Sequence, residues 1–496
     1  MGLEEPPRGY DRPGVLSRLN REIRVPFQLP RPHKLWGGRF CPQPPFRRLF
    51  RGVARLPRNL SRVNLGEVRP LSAILVCGVA GGLLALPAPF FAAARKKPAS
   101  SATPSPAARA AALKRVNAAL DDPPDQPFDQ PGALAPVFEQ LLRMSANGDQ
   151  PPLHVIQFGD SHTAADEWTG GLREEIQQRF GNGGSGFSLA GRPFLGYRRF
   201  DIRGGGSALW HSEGLRTGAG DGFYGLGGVS IETTRAGQSV YARGECDSLE
   251  VDYLVQPGGG AVAVYVDEER RDEFSTDGVQ MAPGAVRYDL SPGLHTFKVV
   301  TLEPRPVRLF GWVADRNAGV TYEALGINGA EAGVMLKWNE IMLATYLQRR
   351  SPAMIVLSYG TNEASDPSWT PEAYEAMFSS LLAQLRQAAP TATILVLGPG
   401  DRWTRTRYSV RLVAGIDWVI AAQKRACAAN RCVYWDTRQR MGGRGSMRDW
   451  VDAGLGQIDY VHFTAAGYRR LAEVLFADLM GQYEIYKKAR TEQAGF

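Results

Sequence analysis

Cysteine and histidine are scarce in this chain of 496 residues, which contains 5 cysteines and 6 histidines. No CxxC pair and no HExxH sequence occurs, so the spacings typical of structural zinc sites and of zinc-dependent hydrolases are missing. Cys427 and Cys432 are close enough in sequence for a disulfide if the chain turns between them, and two free thiols at a helix end are the alternative. The sequence therefore gives no indication of a metal site.

An excess of positive charge is also missing from most of the chain. Residues 1–70 carry 15 Lys and Arg against 5 Asp and Glu, whereas all later residues carry 43 basic and 45 acidic side chains. The formal net charge of +8 thus comes from the N-terminal segment. Because the remainder has no general attraction for polyanions, we expect no nucleic-acid partner.

Long apolar runs are absent with one exception, residues 71–94, which contain no charged side chain. The preceding residues 1–70 are rich in Arg and Pro and are predicted to be a disordered leader. Basic residues before an apolar segment favour a cytoplasmic N-terminus, so the rest of the chain is expected outside the cytoplasm. Residues 71–94 are either a transmembrane signal anchor or a cleaved signal peptide. A buried soluble helix is the third interpretation, weakened by Pro87 and Pro89.

Residues 95–148 are predicted to be a linker and a helical lead-in, after which short apolar segments alternate with amphipathic helices. This alternation is typical of an α/β domain in which helices cover both faces of a parallel sheet. Ligands bind such sheets beyond the carboxyl ends of the strands, where Ser161, the GTNE sequence after Tyr359 and the GPGD sequence after Leu397 all fall. The predicted strands are residues 153–158, 353–359, 393–398 and 431–436.

The middle of the chain has a different pattern. Residues 201–316 contain alternating apolar and polar segments separated by Gly and Pro, which predict an antiparallel β-sandwich. We expect this β-rich domain to be inserted into the α/β domain, which then consists of residues 149–200 and 317–485. The insertion is either a structural elaboration or a carbohydrate-binding module that holds a polymer over the site.

Ser161 follows the first predicted strand directly and is either an ordinary helix cap or a nucleophile. A serine nucleophile needs a base, and the base needs an orienting group. Asp459 and His462 are three residues apart before the last helix, although a capping Asp near a core His is a common structural arrangement. The amide of Asn362 and the backbone N–H of Gly329 could stabilise an oxyanion.

Four sequence blocks occur together: FGDSH at 158–162, GINGA at 326–330, YGTNEA at 359–364 and DYVH at 459–462. In type and order they resemble the blocks of the SGNH (GDSL-type) hydrolase superfamily. The GDSHTAAD and WDTRQRMGG sequences and the long β insertion are similar to periplasmic peptidoglycan O-acetylesterases of Gram-negative bacteria. The resemblance covers about residues 153–200 and 321–480. It implies a three-layer α/β/α, flavodoxin-like fold with a carbohydrate-binding-module-like insertion.

By this resemblance Ser161 is the nucleophile, His462 the base and Asp459 the residue that orients it. The oxyanion hole would contain Asn362, Gly329 and the N–H of Ser161. Ester hydrolysis would proceed through an acyl-enzyme, without a metal or a cofactor. Two further residues of the first block are predicted to be structural: Asp160 to hold the turn, and His162 to line the pocket.

The implied function is removal of O-acetyl groups from a cell-wall polysaccharide, with peptidoglycan as the expected substrate. A polysaccharide O-acetyltransferase and a lipid or aryl esterase could use the same three residues, and a non-catalytic wall-binding protein is a further alternative. The expected location is the periplasm, with residues 71–94 as a candidate anchor in the inner membrane.

Overall fold

The structure, a computed structural model, describes residues 104–146, 150–214, 220–406 and 409–494. The predicted leader, residues 1–70, and the apolar segment, residues 71–94, lie outside the described residues. Within the described ranges, no helix combines the length and the apolar character needed to cross a bilayer.

The described part contains α-helices and β-strands in an alternating order, interrupted by a long run of strands. The helices are α1 (Pro106–Asp121), α2 (Ala135–Ala146), α3 (Ser161–Ala164), α4 (Glu167–Phe180), α5 (Glu340–Arg350), α6 (Pro371–Ala388), α7 (Gly415–Asn430), α8 (Thr437–Arg440), α9 (Met447–Ala453) and α10 (Ala465–Ala494). The strands are β1 (Phe128–Asp129), β2 (Leu153–Gly159), β3 (Gly184–Leu189), β4 (Arg203–Gly206), β5 (His211–Glu213), β6 (Ser230–Thr233), β7 (Ser239–Val255), β8 (Ala261–Val266), β9 (Glu269–Ser275), β10 (Ala282–Thr301), β11 (Val307–Asp315), β12 (Val320–Gly326), β13 (Met354–Ser358), β14 (Thr393–Leu397), β15 (Trp403–Arg405), β16 (Val410–Leu412) and β17 (Val433–Trp435).

One sheet has the order β1-β17-β14-β13-β2-β12, in which every pairing is parallel except that of β1 with β17. Counted along the chain, its parallel strands follow the order 2-1-3-4-5 of flavodoxin-like folds. The four predicted strands are present as β2, β13, β14 and β17. The predicted α/β fold is therefore confirmed.

Strand β12 was not among the predicted strands, although it lies beside β2. It carries Glu323 in its centre, and this carboxylate is fully buried. Arg350 of α5 forms hydrogen-bonded ion pairs with both Glu323 and Asp315, so the buried charge is paired. The stabilising arginine comes from a distant part of the sequence, which explains why the strand is not recognisable from its own residues.

Helices cover both faces of this sheet, as predicted. Ile156, Phe158, Ile355 and Leu357 belong to a core shared with α5, α6 and α7. The alternating side chains of the same strands belong to a second core, shared with α1, α2, α4, α9 and α10. Period-two alternation therefore produces the three layers.

Helix α6 shows how closely local signals follow the structure. Its N-cap Thr370 accepts a hydrogen bond from the N–H of Ala373, and Pro371 is its first residue. Its apolar face is buried, including Tyr374 and Phe378. The start and the buried face of this helix are thus encoded locally.

The insertion begins earlier than predicted. Strand β3 pairs antiparallel with β11 and belongs to the sheet of the insertion, so the predicted boundary at residue 201 is too late. The glycines at the start of β3 have a steric role: at Gly186, with φ +62°, a Cβ atom would lie 2.5 Å from the Glu323 carboxylate. The glycine-rich sequence therefore permits close packing of β3 against β12.

The insertion is a nine-stranded sheet whose pairings are all antiparallel. Strands β7 and β10, of 17 and 20 residues, pair with each other along most of their length, and their register shifts between Asp289 and Gly293. The rings of Phe297 and Trp312 pack with centroids 5.6 Å apart inside its core. The predicted β-rich domain is thus present, and its strands belong to one hydrogen-bonded sheet.

The insertion also shares a core with the α/β domain. Phe187 and Tyr224 belong to the same buried cluster as Phe158 of β2. Tyr346 of α5 donates a hydrogen bond from its hydroxyl to the carbonyl of Gly284 at 2.8 Å. Because removal of the insertion would expose these side chains, it is an integral part of the fold rather than an appended module.

Candidate active site

The turn after β2 places Ser161 at the carboxyl edge of the sheet. Gly159 ends the strand, and a Cβ atom there would lie 2.2 Å from the hydroxyl of Thr163. Asp160 caps α3, since its Oδ1 accepts the N–H of His162 at 2.9 Å. This confirms that Asp160 holds the turn, and the turn makes Ser161 the first residue of the helix.

Ser161, His462 and Asp459 form one hydrogen-bonded chain. The Oγ atom of Ser161 lies 2.8 Å from Nε2 of His462, and Nδ1 of His462 lies 2.7 Å from Oδ2 of Asp459. The other oxygen of Asp459 accepts the N–H groups of Val461 at 2.9 Å and His462 at 3.0 Å. Both ring nitrogens of His462 are therefore engaged, one with an acid and one with the serine.

The charge of Asp459 determines which ring nitrogen of His462 carries the proton. Burial acts to raise the pKa of Asp459, but the hydrogen bonds from the ring and N–H of His462 and the N–H of Val461 lower it to about 2. An ionised Asp459 keeps a proton on Nδ1. The lone pair of Nε2 then faces the Ser161 hydroxyl, as proton transfer requires.

Asn362 and Gly329 line the same cavity as Ser161 and His462, with a volume of about 530 Å³. The side-chain amide of Asn362 donates to the carbonyl of Ala330 at 2.9 Å and lies 3.4 Å from Oδ2 of Asp160. In the described part of the chain, the backbone N–H groups of Ser161 and Gly329 have no acceptor. Three donors thus border the space beside the serine.

This convergence follows from the topology. Strands β2 and β13 are neighbours at the point where the strand order reverses, and their ends lie level, with Ser358 opposite Gly159. Ligand sites of flavodoxin-like folds lie at such a reversal. The loops after β2, β12 and β13 carry Ser161, Gly329 and Asn362, respectively.

Glu363 joins two of these loops and has no role in the sequence-based interpretation. Its carboxylate is fully buried and accepts the N–H groups of Ala332 at 2.9 Å and Gly360 at 3.0 Å. Burial raises the pKa of Glu363 to about 8, against the opposing effect of the bond from Ala332. The side chain therefore fixes the distance between the loops that carry Gly329 and Asn362.

We expect Glu363→Gln to weaken this connection, because one amide N–H of glutamine would face a buried backbone N–H. The free energy of unfolding should fall by about 1–3 kcal/mol. Misplaced oxyanion donors should lower kcat on an aryl acetate by roughly 10-fold, with little change in KM. Denaturant unfolding and steady-state kinetics measure the two effects, with Glu372→Gln at the exposed start of α6 as the control. An unchanged kcat would restrict Glu363 to a structural role.

His162 is a buried structural residue that packs against His462 and does not face solvent. Its Nδ1 atom is 2.7 Å from the hydroxyl of Tyr468, and its ring centroid is 5.1 Å from that of His462. Burial lowers the pKa of His162 to about 3, so its ring is neutral. It therefore packs against His462 without competing for a proton.

The GPGD loop contributes Arg402, which sequence reasoning also missed. Its Nη1 donates a hydrogen bond to the carbonyl of Thr361, next to Asn362. Its positive charge acts favourably on Asp160 and Asp459.

Elsewhere in the described residues, Cys427 and Cys432 are buried free thiols, and no group of three or more potential ligands is placed to hold a metal ion.

Comparison with known proteins agrees with this geometry. Residues 300–470 match the model of the GDSL-like Lipase/Acylhydrolase family. A solved structure entitled "Peptidoglycan O-acetylesterase in action, 5 min" matches with a TM-score of 0.60 and 26% identity, over 70% of this chain and 96% of that chain. A family two carbohydrate esterase from Cellvibrio japonicus matches with a TM-score of 0.26 and 11% identity, over 60% and 98%.

No curated protein gives a significant match to the chain. The matched family segment includes Gly329, Asn362, Asp459 and His462, while Ser161 lies before it. Residues 300–470 therefore carry a GDSL-like lipase/acylhydrolase domain, the chain resembles peptidoglycan O-acetylesterases, and the protein is a carboxylic ester hydrolase.

Proposed function

We propose that the protein is a serine esterase that removes O-acetyl groups from a cell-wall polysaccharide, with peptidoglycan as its substrate. The hydrogen-bonded chain of Ser161, His462 and Asp459 carries this proposal. The solved peptidoglycan O-acetylesterase, similar over 70% of the chain, supports the choice of substrate.

The geometry supports a two-step mechanism with Ser161 as the nucleophile. Its Oγ attacks the acetyl carbonyl carbon while its proton moves to Nε2 of His462, and Asp459 stabilises the resulting imidazolium. The N–H groups of Ser161 and Gly329 and the amide of Asn362 stabilise the oxyanion. When the tetrahedral intermediate collapses, the sugar oxygen leaves with the proton from His462, and acetyl-Ser161 remains.

The second step regenerates the enzyme. A water molecule attacks the acetyl carbonyl of acetyl-Ser161 while His462 accepts its proton. The bond to Oγ then breaks, the proton returns to Ser161, and acetate departs. No step requires a group that this chain does not supply, apart from water.

The cavity itself favours a sugar ester over a long-chain lipid ester. Most side chains around the triad are polar, including Glu167, Arg198, Asn328 and Gln457. A lipase would need an extended apolar surface for the acyl chain. A cavity whose lining side chains are mostly polar suits an acetylated glycan.

The test is acetate release from purified O-acetylated peptidoglycan. We expect the wild-type chain to release free acetate in proportion to the ester groups lost, and Ser161→Ala to release none above background. If esters were lost and the acetyl groups were found on an added glycan rather than as free acetate, the enzyme would be a transferase. Hydrolysis of a lipid ester alone would refute the glycan substrate.

We further propose that the catalytic domain acts in the periplasm. The basic residues 1–70 and the uncharged residues 71–94 support this location. Alkaline phosphatase, which needs an oxidising compartment, should be active when fused after Phe496, and β-galactosidase at the same position should not. The reverse result would place the domain in the cytoplasm.

A further inference from the structure

A second cavity adjoins the catalytic one. It has a volume of about 650 Å³ and is formed by the segment between β3 and β4 together with part of the insertion. Gly196 and Arg198 line both cavities, so the two cavities lie side by side. We call the second cavity the arginine groove, after Arg192, Arg198 and Arg203 in its lining.

The charge of the arginine groove has one sign, since no Asp or Glu is among its lining residues. Arg192 and Arg203 are exposed, and no carboxylate of the described residues lies within salt-bridge distance of either. The guanidinium group of Arg198 is 61% exposed, and among the described residues Glu167, at 3.8 Å, is its only ion-pair partner. These three guanidinium groups are therefore available to a ligand.

A fourth arginine in the lining has a different role. Arg199 is buried, and its Nη2 lies 2.7 Å from Oδ2 of Asp201, while Asp166 lies within 3.9 Å. Its charge is compensated inside the protein. The positive charge of the groove therefore comes from the exposed arginines, while Arg199 anchors the segment that carries them.

The segment is also fixed next to the catalytic serine. The N–H of Arg198 donates to the carbonyl of Ala164 in α3 at 3.0 Å. The amide of Asn328, in the loop of Gly329, donates to the carbonyl of Leu195 at 2.8 Å. Because the backbone is held on both sides of the active site, a ligand does not need to order this segment on binding.

We propose that the arginine groove binds carboxylate groups of the polymer, so that the enzyme selects acidic over neutral O-acetylated glycans. Guanidinium groups bind carboxylates with paired, charge-assisted hydrogen bonds. Binding away from the ester positions the acetyl group at Ser161 and helps only substrates long enough to reach the groove. The inference rests on the proposed function for the identity of the polymer, but the binding of carboxylates can be tested separately.

The binding test uses the full chain with Ser161→Ala, so that esters remain intact. Its Kd is measured by co-sedimentation with O-acetylated peptidoglycan and with the same polymer after carbodiimide amidation of its carboxylates. We expect about 10-fold tighter binding to the untreated polymer, with a difference that shrinks as salt rises. Arg192→Gln with Arg203→Gln should abolish the difference. Arg243→Gln removes one positive charge from the neighbouring strand β7, outside the groove. This control should preserve the difference in Kd.

Two sources of carboxylate are possible, the peptides and the sugars of the polymer. Amidase treatment removes the peptides and leaves a free lactyl carboxylate on each sugar that carried one. Lost preference for the treated polymer therefore assigns the carboxylates to the peptides, and retained preference shows that carboxylates on the sugars are sufficient. Equal Kd values for untreated and amidated polymer would overturn the proposal. If Arg243→Gln reduced the difference in Kd as much as each groove substitution does, the difference would reflect nonspecific electrostatic attraction. That result would also overturn the proposal.

Kinetics separate this inference from the proposed function. The double variant should keep wild-type kcat/KM on a small aryl acetate, which cannot reach the groove, and lose about 10-fold on untreated polymer only. Wild-type acetate release with no effect of the double variant refutes the groove but leaves the esterase function. Carboxylate-dependent binding without acetate release from any polymer refutes the proposed substrate but leaves the groove.

Discussion

Ser161→Ala and His462→Ala are each expected to lower kcat for ester hydrolysis by about 10⁴- to 10⁶-fold. Ser161→Ala removes the attacking oxygen, and His462→Ala removes the one base that the described residues place within hydrogen-bond distance of it. Because the two residues act as one unit, the double variant should be little worse than either single variant. Asp459→Asn should be milder, since His462 remains, although its ring loses the charge that keeps the proton on Nδ1.

Steady-state hydrolysis of an aryl acetate measures these losses, with circular dichroism to show that each variant is folded. His211→Ala, an exposed histidine on β5, is the matched control and should keep wild-type kcat. Near-normal turnover by folded Ser161→Ala protein would contradict the mechanism. A small residual activity that is equal in Ser161→Ala and His462→Ala would be attributed to the oxyanion donors alone.

Asn362→Ala is expected to lower kcat by about 10²-fold or more and to leave KM nearly unchanged. The amide can donate to the substrate oxygen most strongly once that oxygen carries negative charge, so its loss affects the transition state more than binding. The same amide also donates a hydrogen bond to the carbonyl of Ala330. The thermal stability of the variant should therefore be measured alongside its kinetics.

Asn317→Ala provides the matched control, because this exposed asparagine lies between β11 and β12 at the opposite end of the sheet. It should change neither kcat nor KM. A rise in KM with unchanged kcat for Asn362→Ala would mean that the amide binds substrate and transition state equally. That result would remove Asn362 from the oxyanion hole.

The sequence alone allowed the α/β domain to be predicted because its signals are local. Strand β13 is a short apolar run, and α6 carries its own cap and buried face. The grouping of Ser161 with Asn362 followed from a general property of parallel sheets, since their strands end at one edge. Residues distant in sequence could thus be placed together without knowledge of a contact.

The insertion was harder to predict because its limits depend on partners distant in sequence. Strand β3 is recognisable only through its pairing with β11, more than a hundred residues later. Alternating apolar residues do not show whether the second face of a sheet meets solvent or another domain. Here that face shares a core with Phe158 and Tyr346, which makes deletion of the insertion a poor test of its function.

The supporting residues of the site could not be predicted for a related reason. Glu363 acts through the backbone N–H groups of Ala332 and Gly360, and Arg402 through the carbonyl of Thr361. Backbone groups are present at every position, so the sequence gives no sign of which ones a side chain will contact. Only the fold identifies these partners.

Covalent labelling of the purified chain with an alkyl fluorophosphonate tests most directly whether Ser161 is an activated nucleophile. The phosphonyl adduct is a stable counterpart of the acyl-enzyme, and peptide mass spectrometry locates it. We predict one adduct per chain, on Ser161, with esterase activity lost in proportion to labelling, and no adduct in folded His462→Ala. Full activity after stoichiometric labelling of Ser161, or inactivation by an adduct at another residue, would contradict the account.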